Sequence, residues 1–191
     1  MDSDRKPKRL RSERSRERVL SVASDLFYRN GVRAVGMDQI VETSGMAKTT
    51  IYRHFPTKDS LIEAFLEAED AEFWLQWDAV IRSAGDRKLV LDALAIWVGQ
   101  KVQREGYRGC PQINVAAEFA DPAHPARGVA RRHKAEMLRR LELICTDIGA
   151  IDPSMAALRI ATLLDGAFAS AERLAQADAS TILRDAARRL V

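Results

Sequence analysis

The chain has 191 residues, of which 47% are hydrophobic, and its 30 Lys and Arg against 27 Asp and Glu give a formal net charge of +3. This length allows one globular domain or two small ones, and two cysteines, Cys110 and Cys145, exclude a disulfide framework. The charged N-terminus lacks the apolar segment of a secretory signal, and no apolar stretch is long enough to span a bilayer. We therefore expect a soluble protein of a reducing, cytoplasmic compartment.

The positive charge is concentrated at the start of the chain. Residues 1–60 contain 13 basic and 8 acidic residues, whereas residues 61–191 contain 17 basic and 19 acidic ones. A basic first third followed by a slightly acidic remainder indicates a nucleic-acid-binding segment attached to a body with another role. We place the boundary so that 1–58 is the binding domain and 59–191 the body.

The hydrophobic pattern predicts helices from the start. Apolar residues line one face of a first helix: Val19, Val22, Ala23, Leu26 and Phe27. Gly31 ends this helix, a short second helix precedes Gly45, and a third runs from about 47 to 55, where Pro56 stops it. Three short helices with a glycine turn before the third are typical of a helix-turn-helix.

The rest of the chain is also predicted to be helical, with no strand-like alternation. The expected helices span about 59–82, 89–104, 112–119, 125–148, 153–176 and 180–190. The predicted fold class is therefore all-α, with about nine helices in total.

The third helix has the side chains of a major-groove recognition helix. Ile51 and Phe55 fall on one side and are expected to face the core, and no Asp or Glu occurs from Ala47 to Lys58. Such a helix reads base edges and holds phosphates with hydroxyl, amine and guanidinium donors. The candidate DNA-binding residues are Lys48, Thr49, Thr50, Tyr52, Arg53, His54 and Lys58. The alternative is an ordinary surface helix.

Residues 11–65 resemble the TetR family of bacterial transcriptional regulators. The resemblance rests on "DQIVETSG", "KTTIYRHF" and "TKDSL" following an amphipathic helix in the family's order and spacing. It implies a dimeric regulator that binds a palindromic DNA operator, most often as a repressor, with a helical body for a small-molecule effector. Two positions depart from the family pattern: Gly36 and Ala47 replace the usual capping hydroxyl residues before the second and third helices. Thr49 replaces the frequent Gly or Ala.

The basic N-terminal run "RKPKRLRSERSRER" has two interpretations. It is either a solvated tail or an arm that contacts phosphates or the minor groove.

Aromatic residues of the body predict an apolar effector cavity between helices. Trp74 and Trp77 lie on one helix face and Trp97 on the next helix, although aromatics at such spacing commonly form only core. The candidate ligand-binding residues are Trp74, Trp77, Trp97, Cys110, Asn114, Phe119 and Phe168. The implied effector is an uncharged or weakly charged small molecule that is apolar or aromatic.

The last two long helices span about 153–176 and 180–190, and the first of them carries Ala, Gly and Ser on one face, which favours close helix packing. That packing is either internal or, as the family resemblance implies, the interface of a homodimer.

Other chemistry has weaker support. A redox regulator using Cys110 and Cys145 is the main alternative, and an enzyme using Cys110 or His133 lacks an evident acid–base pair. His133 lies among basic residues that indicate a solvated face, and His124 belongs to a turn. No phosphate-loop, hydrolase or zinc-protease motif occurs, so we expect no catalytic residue, metal or cofactor.

Overall fold

A computed structural model describes the backbone of residues 5–191 and the side chains from residue 10 onward. Ten α-helices form this part of the chain: α1 (Arg5–Asn30), α2 (Met37–Ser44), α3 (Lys48–His54), α4 (Lys58–Ala84), α5 (Val90–Gln103), α6 (Pro111–Glu118), α7 (Pro125–Asp147), α8 (Pro153–Ala169), α9 (Ala171–Leu174) and α10 (Ala179–Arg188). A 3-10 helix over Arg87–Leu89 precedes α5, and residues 5–191 contain no strand.

The all-α prediction is confirmed. The tenth helix arises because the predicted helix over 153–176 is interrupted at Ser170, whose backbone angles of φ −126° and ψ 37° are not helical. One short turn, α9, follows the break. No helix within residues 5–191 combines the length and the apolar character needed to cross a membrane.

The described residues form two compact units. The first contains the chain up to Glu69 together with Asn114–Val129, and the second contains Asp70–Ile113 and Ala130–Val191. α4 therefore contributes its first turns to one unit and the remainder to the other. The predicted domain boundary between residues 58 and 59 stays a prediction.

The core of the first unit joins the helix-turn-helix to the start of α4. Buried apolar side chains come from each of α1 to α4, among them Val19, Phe27, Ile40, Ile51, Leu61 and Phe65. The rings of Phe27 and Phe65 meet with their centroids 5.7 Å apart. The periodic apolar face predicted for the first helix thus packs on the following helices.

The turns of the first unit match their predicted chemistry. Gly45 adopts φ 64°, and its amide donates to carbonyl oxygens near the end of α2. Only a glycine adopts this left-handed backbone without strain. Gly36 and Ala47 occupy the N-cap positions of α2 and α3, and neither supplies a side-chain hydrogen bond. Both helices therefore begin without the capping bond that Ser or Thr would provide.

The second unit is a helical bundle in which α5 is central. α5 packs against α10 and α8, and the amphipathic α10 buries Ala179, Leu183 and Ala187. The approach is closest at Gly99, where an added Cβ would lie 2.5 Å from the backbone nitrogen of Ser180. A glycine on α5 thus sets the distance at which α10 packs.

Candidate nucleic-acid interface and effector site

α3 is anchored by two apolar residues, as predicted. Ile51 is fully buried and Phe55, which caps the C-terminal end of the helix, is 2% exposed. The left-handed turn at Gly45 lets α3 follow α2 after only three residues. The helix is therefore held by one side, and its other side is free to meet a partner.

The predicted DNA-binding side chains differ in their exposure. Lys48, Thr49, Tyr52 and Arg53 are exposed, whereas Thr50, His54 and Lys58 are half-buried. Nε2 of His54 is buried and no group within the described part of the chain bonds to it. A phosphate contact from this ring would therefore have to use Nδ1.

α3 contains no acidic residue, but a carboxylate from α2 lies beside its exposed face. Lys48 Nζ donates to Asp38 Oδ1 on α2 at 2.8 Å, and both side chains are well exposed. The hydrogen bond and charge of Asp38 raise the pKa of Lys48. Lys48 is thus paired, and a phosphate would compete with Asp38 for it.

Two arginines of the N-terminal basic run contact the helix-turn-helix itself. Arg18 Nε donates to the carbonyl oxygen of Ser44 at 2.9 Å, next to the Gly45 turn. The guanidinium of Arg16 lies 5.1 Å from the ring centroid of Phe55. Sequence reasoning missed these roles, since nothing local links Arg18 to a residue 26 positions away. Arg11 and Arg14 of the same run are exposed, and the side chains of residues 5–9 lie outside the description.

A second polar cluster fixes the loop between α1 and α2. The carboxylate of Glu118, at the end of α6, accepts from the backbone amides of Val32 at 3.1 Å and Arg33 at 2.8 Å. Arg33 Nη1 donates back to the carbonyl oxygen of Glu118 at 3.2 Å. Lys58 Nζ lies 3.4 Å from the carbonyl oxygen of Arg33, and burial is the main cause that lowers its pKa. Lys58 therefore also contributes to holding this loop.

The three tryptophans lie together in the second unit. Phe73 is central: its ring centroid is 5.0 Å from that of Trp74, 6.0 Å from Trp77, 5.2 Å from Trp97 and 6.1 Å from Phe168. Cys110 belongs to the same hydrophobic core. Trp77 is fully buried, whereas Trp74 and Trp97 are half-buried and lie on the outer side of the cluster.

Two predicted effector-binding residues lie elsewhere. Asn114 and Phe119 belong to the first unit, where the ring of Phe119 stacks on that of His124 at a centroid distance of 3.7 Å. The structure therefore does not group them with the tryptophans. An open cavity of about 260 Å³ in the second unit is lined by other residues: Ile81, Arg82, Gly85, Asp86, Arg87, Val90, Ile144 and Asp147.

The prediction that His133 lies on a solvated face is wrong. Its side chain is 2% exposed and contacts Phe73 and Trp74, with ring centroids 4.8 and 5.1 Å away. Nδ1 lies 2.6 Å from Oδ1 of Asp70, which also accepts from the indole N–H of Trp74 at 2.8 Å. The helical spacing of α7 turns His133 inward although its sequence neighbours are basic. Burial is the largest effect on the pKa of His133 and lowers it.

Neither cysteine has the environment of a reactive thiol. Cys110 and Cys145 are both buried and free, and burial raises the pKa of each. A raised pKa reduces the thiolate fraction on which oxidation and nucleophilic attack depend. No group of metal-ligating side chains occurs among the described residues.

Comparison with known proteins identifies the helix-turn-helix. The model of bacterial regulatory proteins of the tetR family matches residues 19–65, which include every predicted DNA-binding residue. This segment belongs to the TetR family. A crystal structure of a TetR-family transcriptional regulator from Streptomyces coelicolor is similar over 92% of this chain and 93% of its own, with 29% identity and a TM-score of 0.85.

Curated relatives match mainly in the same region. The transcriptional regulator QacR of Staphylococcus aureus is 36% identical over 62 residues, which are 32% of this chain and 33% of QacR. The transcriptional repressor KstR2 of Rhodococcus jostii is 27% identical over 79 residues, which are 41% of this chain and 39% of KstR2. The alignments thus span little more than a third of these relatives. The TetR resemblance stated from the sequence is confirmed. The relatives and the solved structure named above are transcriptional regulators.

Proposed function

We propose that this TetR-family protein is a DNA-binding transcriptional repressor that leaves a palindromic operator when a small molecule binds its second unit. The observation that carries the proposal is α3: a helix anchored by buried Ile51 and Phe55 that exposes Lys48, Thr49 and Arg53 in the segment matched by the family model.

The exposed side chains of α3 have separate roles in this proposal. Arg53 is the candidate for base readout, since a guanidinium can pair with O6 and N7 of guanine through two hydrogen bonds. Tyr52, which is 37% exposed at the edge of the helix, can donate its hydroxyl to a phosphate. Lys48 must exchange Asp38 for a phosphate, so part of its attraction to DNA is offset by the lost ion pair.

Pairing of two copies through α8 and α10 would place two recognition helices on one palindrome. Apolar side chains that are 43–50% exposed lie on these helices: Met155, Leu158 and Ile182. Along α8 the exposed positions continue through Thr162, Gly166 and Ala169, where small side chains allow a second helix to approach closely. Other small residues of α8, such as Ala156 and Ala157, pack inside the unit, so the predicted small-residue face serves internal packing as well.

Effector release requires only a moderate coupling between the two binding events. A difference of about 1–3 kcal/mol lowers operator affinity by about 5–150-fold. We place the effector at the aromatic cluster of Trp74, Trp77 and Trp97. α4 carries two of these tryptophans and begins beside the helix-turn-helix, so it is the candidate element for transmitting the change.

The DNA-binding proposal is tested by selecting operators from intergenic fragments and measuring affinity by fluorescence anisotropy. Arg53→Ala should weaken operator binding by about 1–3 kcal/mol and relax base preference at one position of each half-site. Arg82→Ala, an exposed arginine of the second unit, is the matched control and should bind as the parent does. Equal losses on the operator and on random DNA would limit Arg53 to a phosphate contact, and no binding to any fragment would refute the proposal.

The dimer is tested by Leu158→Glu, which places a charge on the exposed face of α8. Sedimentation velocity should show a dimer for the parent chain and a monomer for the variant. Arg159→Gln, which also lowers the net charge by one at the next exposed position, is the control for net charge. A parent chain that sediments as a monomer at micromolar concentration would refute this part of the proposal.

A further inference from the structure

His133 offers an unused hydrogen-bond acceptor inside the aromatic cluster. Its Nδ1 faces Asp70 at 2.6 Å, and because a carboxylate oxygen only accepts, Nδ1 carries the proton. In the neutral imidazole the other nitrogen, Nε2, then has a free lone pair. Nε2 is buried and no group in the described residues bonds to it. A buried acceptor left without a donor is costly, which makes it a candidate contact for a ligand.

A buried donor lies in the same cluster. Nε1 of Trp77 is buried without a partner among the described residues, and Trp77 is fully buried. The rings of His133 and Trp77 both contact Phe73 and Trp74, with centroid distances from 4.8 to 6.0 Å. One unpaired acceptor and one unpaired donor therefore lie among aromatic rings. Apolar sites with a few polar groups of this kind bind flat molecules that carry a small polar group.

The charges around the cluster disfavour an ionic ligand. The guanidinium of Arg140 lies 4.4 Å from the ring centroid of Trp74, and Lys101 Nζ lies 5.4 Å from that of Trp97, so cations already cover the outer rings. Arg140 is paired with Asp78 and Glu136, and Lys134 with Asp165. These carboxylates compensate the charges of Arg140 and Lys134, and Lys101 Nζ donates to the amide oxygen of Gln76 at 3.0 Å. Asp70, which contacts His133, repels an anion at that ring.

We propose that the effector is a neutral aromatic molecule with a hydroxyl group, which donates to Nε2 of His133 and accepts from Nε1 of Trp77. This inference rests on the proposed effector role of the second unit and adds the ligand's chemical class. A hydroxyl is the smallest group that both donates and accepts.

The test compares four probes on one bicyclic frame by isothermal titration calorimetry with the full chain at pH 7.5. The probes are 2-naphthol, 2-methylnaphthalene, 2-naphthoate and 2-naphthylmethylammonium. 2-Naphthol should bind at least about tenfold more tightly than its methyl isostere, since the isostere leaves both buried atoms unpaired. The anion and the cation should bind more weakly still.

Two variants identify the residue responsible. His133→Phe should remove the preference for naphthol over methylnaphthalene while keeping an aromatic site. Asp70→Asn no longer fixes the proton on Nδ1, since an amide can donate as well as accept, and should reduce the preference without changing the ring. The ratio of the two affinities is the readout, because a purely structural role would change both affinities together.

Each outcome decides the inference. Equal binding of 2-naphthol and its methyl isostere in the parent chain, tighter binding of either ion, or no binding of any probe would overturn it. A preference that persists in both variants would overturn the role of His133. Operator binding measured in parallel by anisotropy tests the proposed regulator separately, so a chain that binds DNA but shows no hydroxyl preference refutes only the ligand class.

Discussion

Gly99 is the position where one methyl group should have the largest effect on the second unit. A Cβ added there would lie 2.5 Å from N, 2.6 Å from Cα and 2.7 Å from Oγ of Ser180. Ordinary contacts between such atoms are about 3.5–4.0 Å, so α10 would have to move away from α5 by about 1 Å. Two of the three atoms belong to the backbone, and no rotamer change removes the clash.

The expected cost follows from two opposing effects. Overpacking of a close contact destabilises by about 1–3 kcal/mol, whereas replacing Gly by Ala within a helix stabilises by about 0.5–1 kcal/mol. Because the clash is with backbone atoms, the overpacking cost lies at the upper end of its range, and we expect Gly99→Ala to lower the free energy of unfolding by about 1–2 kcal/mol. At about 2–4 °C per kcal/mol for a chain of this length, the Tm should fall by about 2–8 °C.

Urea and thermal unfolding followed by tryptophan fluorescence measure this effect. All three tryptophans lie in the second unit, so the signal reports the bundle that contains the contact. Gln100→Ala, at the adjacent exposed position of α5, is the control and should change stability by less than about 0.5 kcal/mol. An unchanged or raised Tm for Gly99→Ala would show that α10 does not pack this closely on α5.

Three further predictions follow from single contacts. Ala47→Ser supplies the missing N-cap of α3 and should raise stability by about 1 kcal/mol in urea unfolding followed by circular dichroism; no change would show that the cap is satisfied otherwise. Glu118→Gln removes a charged acceptor from the amides of Val32 and Arg33, which should then exchange with solvent about tenfold faster by NMR. Burial lowers the pKa of His133 below its usual 6.5, so the folded chain binds its proton less readily than the unfolded chain. Stability is therefore full above about pH 6.5 and falls as the pH drops below it, and His133→Phe should flatten that slope in unfolding experiments at pH 5 to 7.

The helix-turn-helix was predictable because its signals are local. The apolar spacing on α1, the glycine turn at Gly45 and the stop at Pro56 each act within one or two helical turns, and the observed helix bounds agree with them within a few residues. Ile51 and Phe55 were placed correctly in the core for the same reason. The missing caps at Gly36 and Ala47 also follow from residue type alone.

The effector site was only partly predictable because it depends on contacts between distant helices. The three tryptophans do meet, but Asn114 and Phe119 belong to the other unit. His133 was predicted to lie on a solvated face because its sequence neighbours are basic, whereas it lies on the buried side of α7. Its partner Asp70 is 63 residues away, and no local pattern indicates that pairing.

The sequence by itself determined the helical class, the order of the helices and the TetR-type recognition segment, since these depend on periodicity, turn chemistry and a family-specific order of short motifs. Only the tertiary structure decided which candidate binding side chains are free to contact DNA or a ligand and which are paired or buried within the chain. In the folded chain Lys48 is paired with Asp38, and Arg18 donates to the carbonyl oxygen of Ser44. His133 is buried beside Asp70. Hydrogen bonds and burial act between groups that are close in space, and residues far apart in the chain become neighbours only when the helices pack.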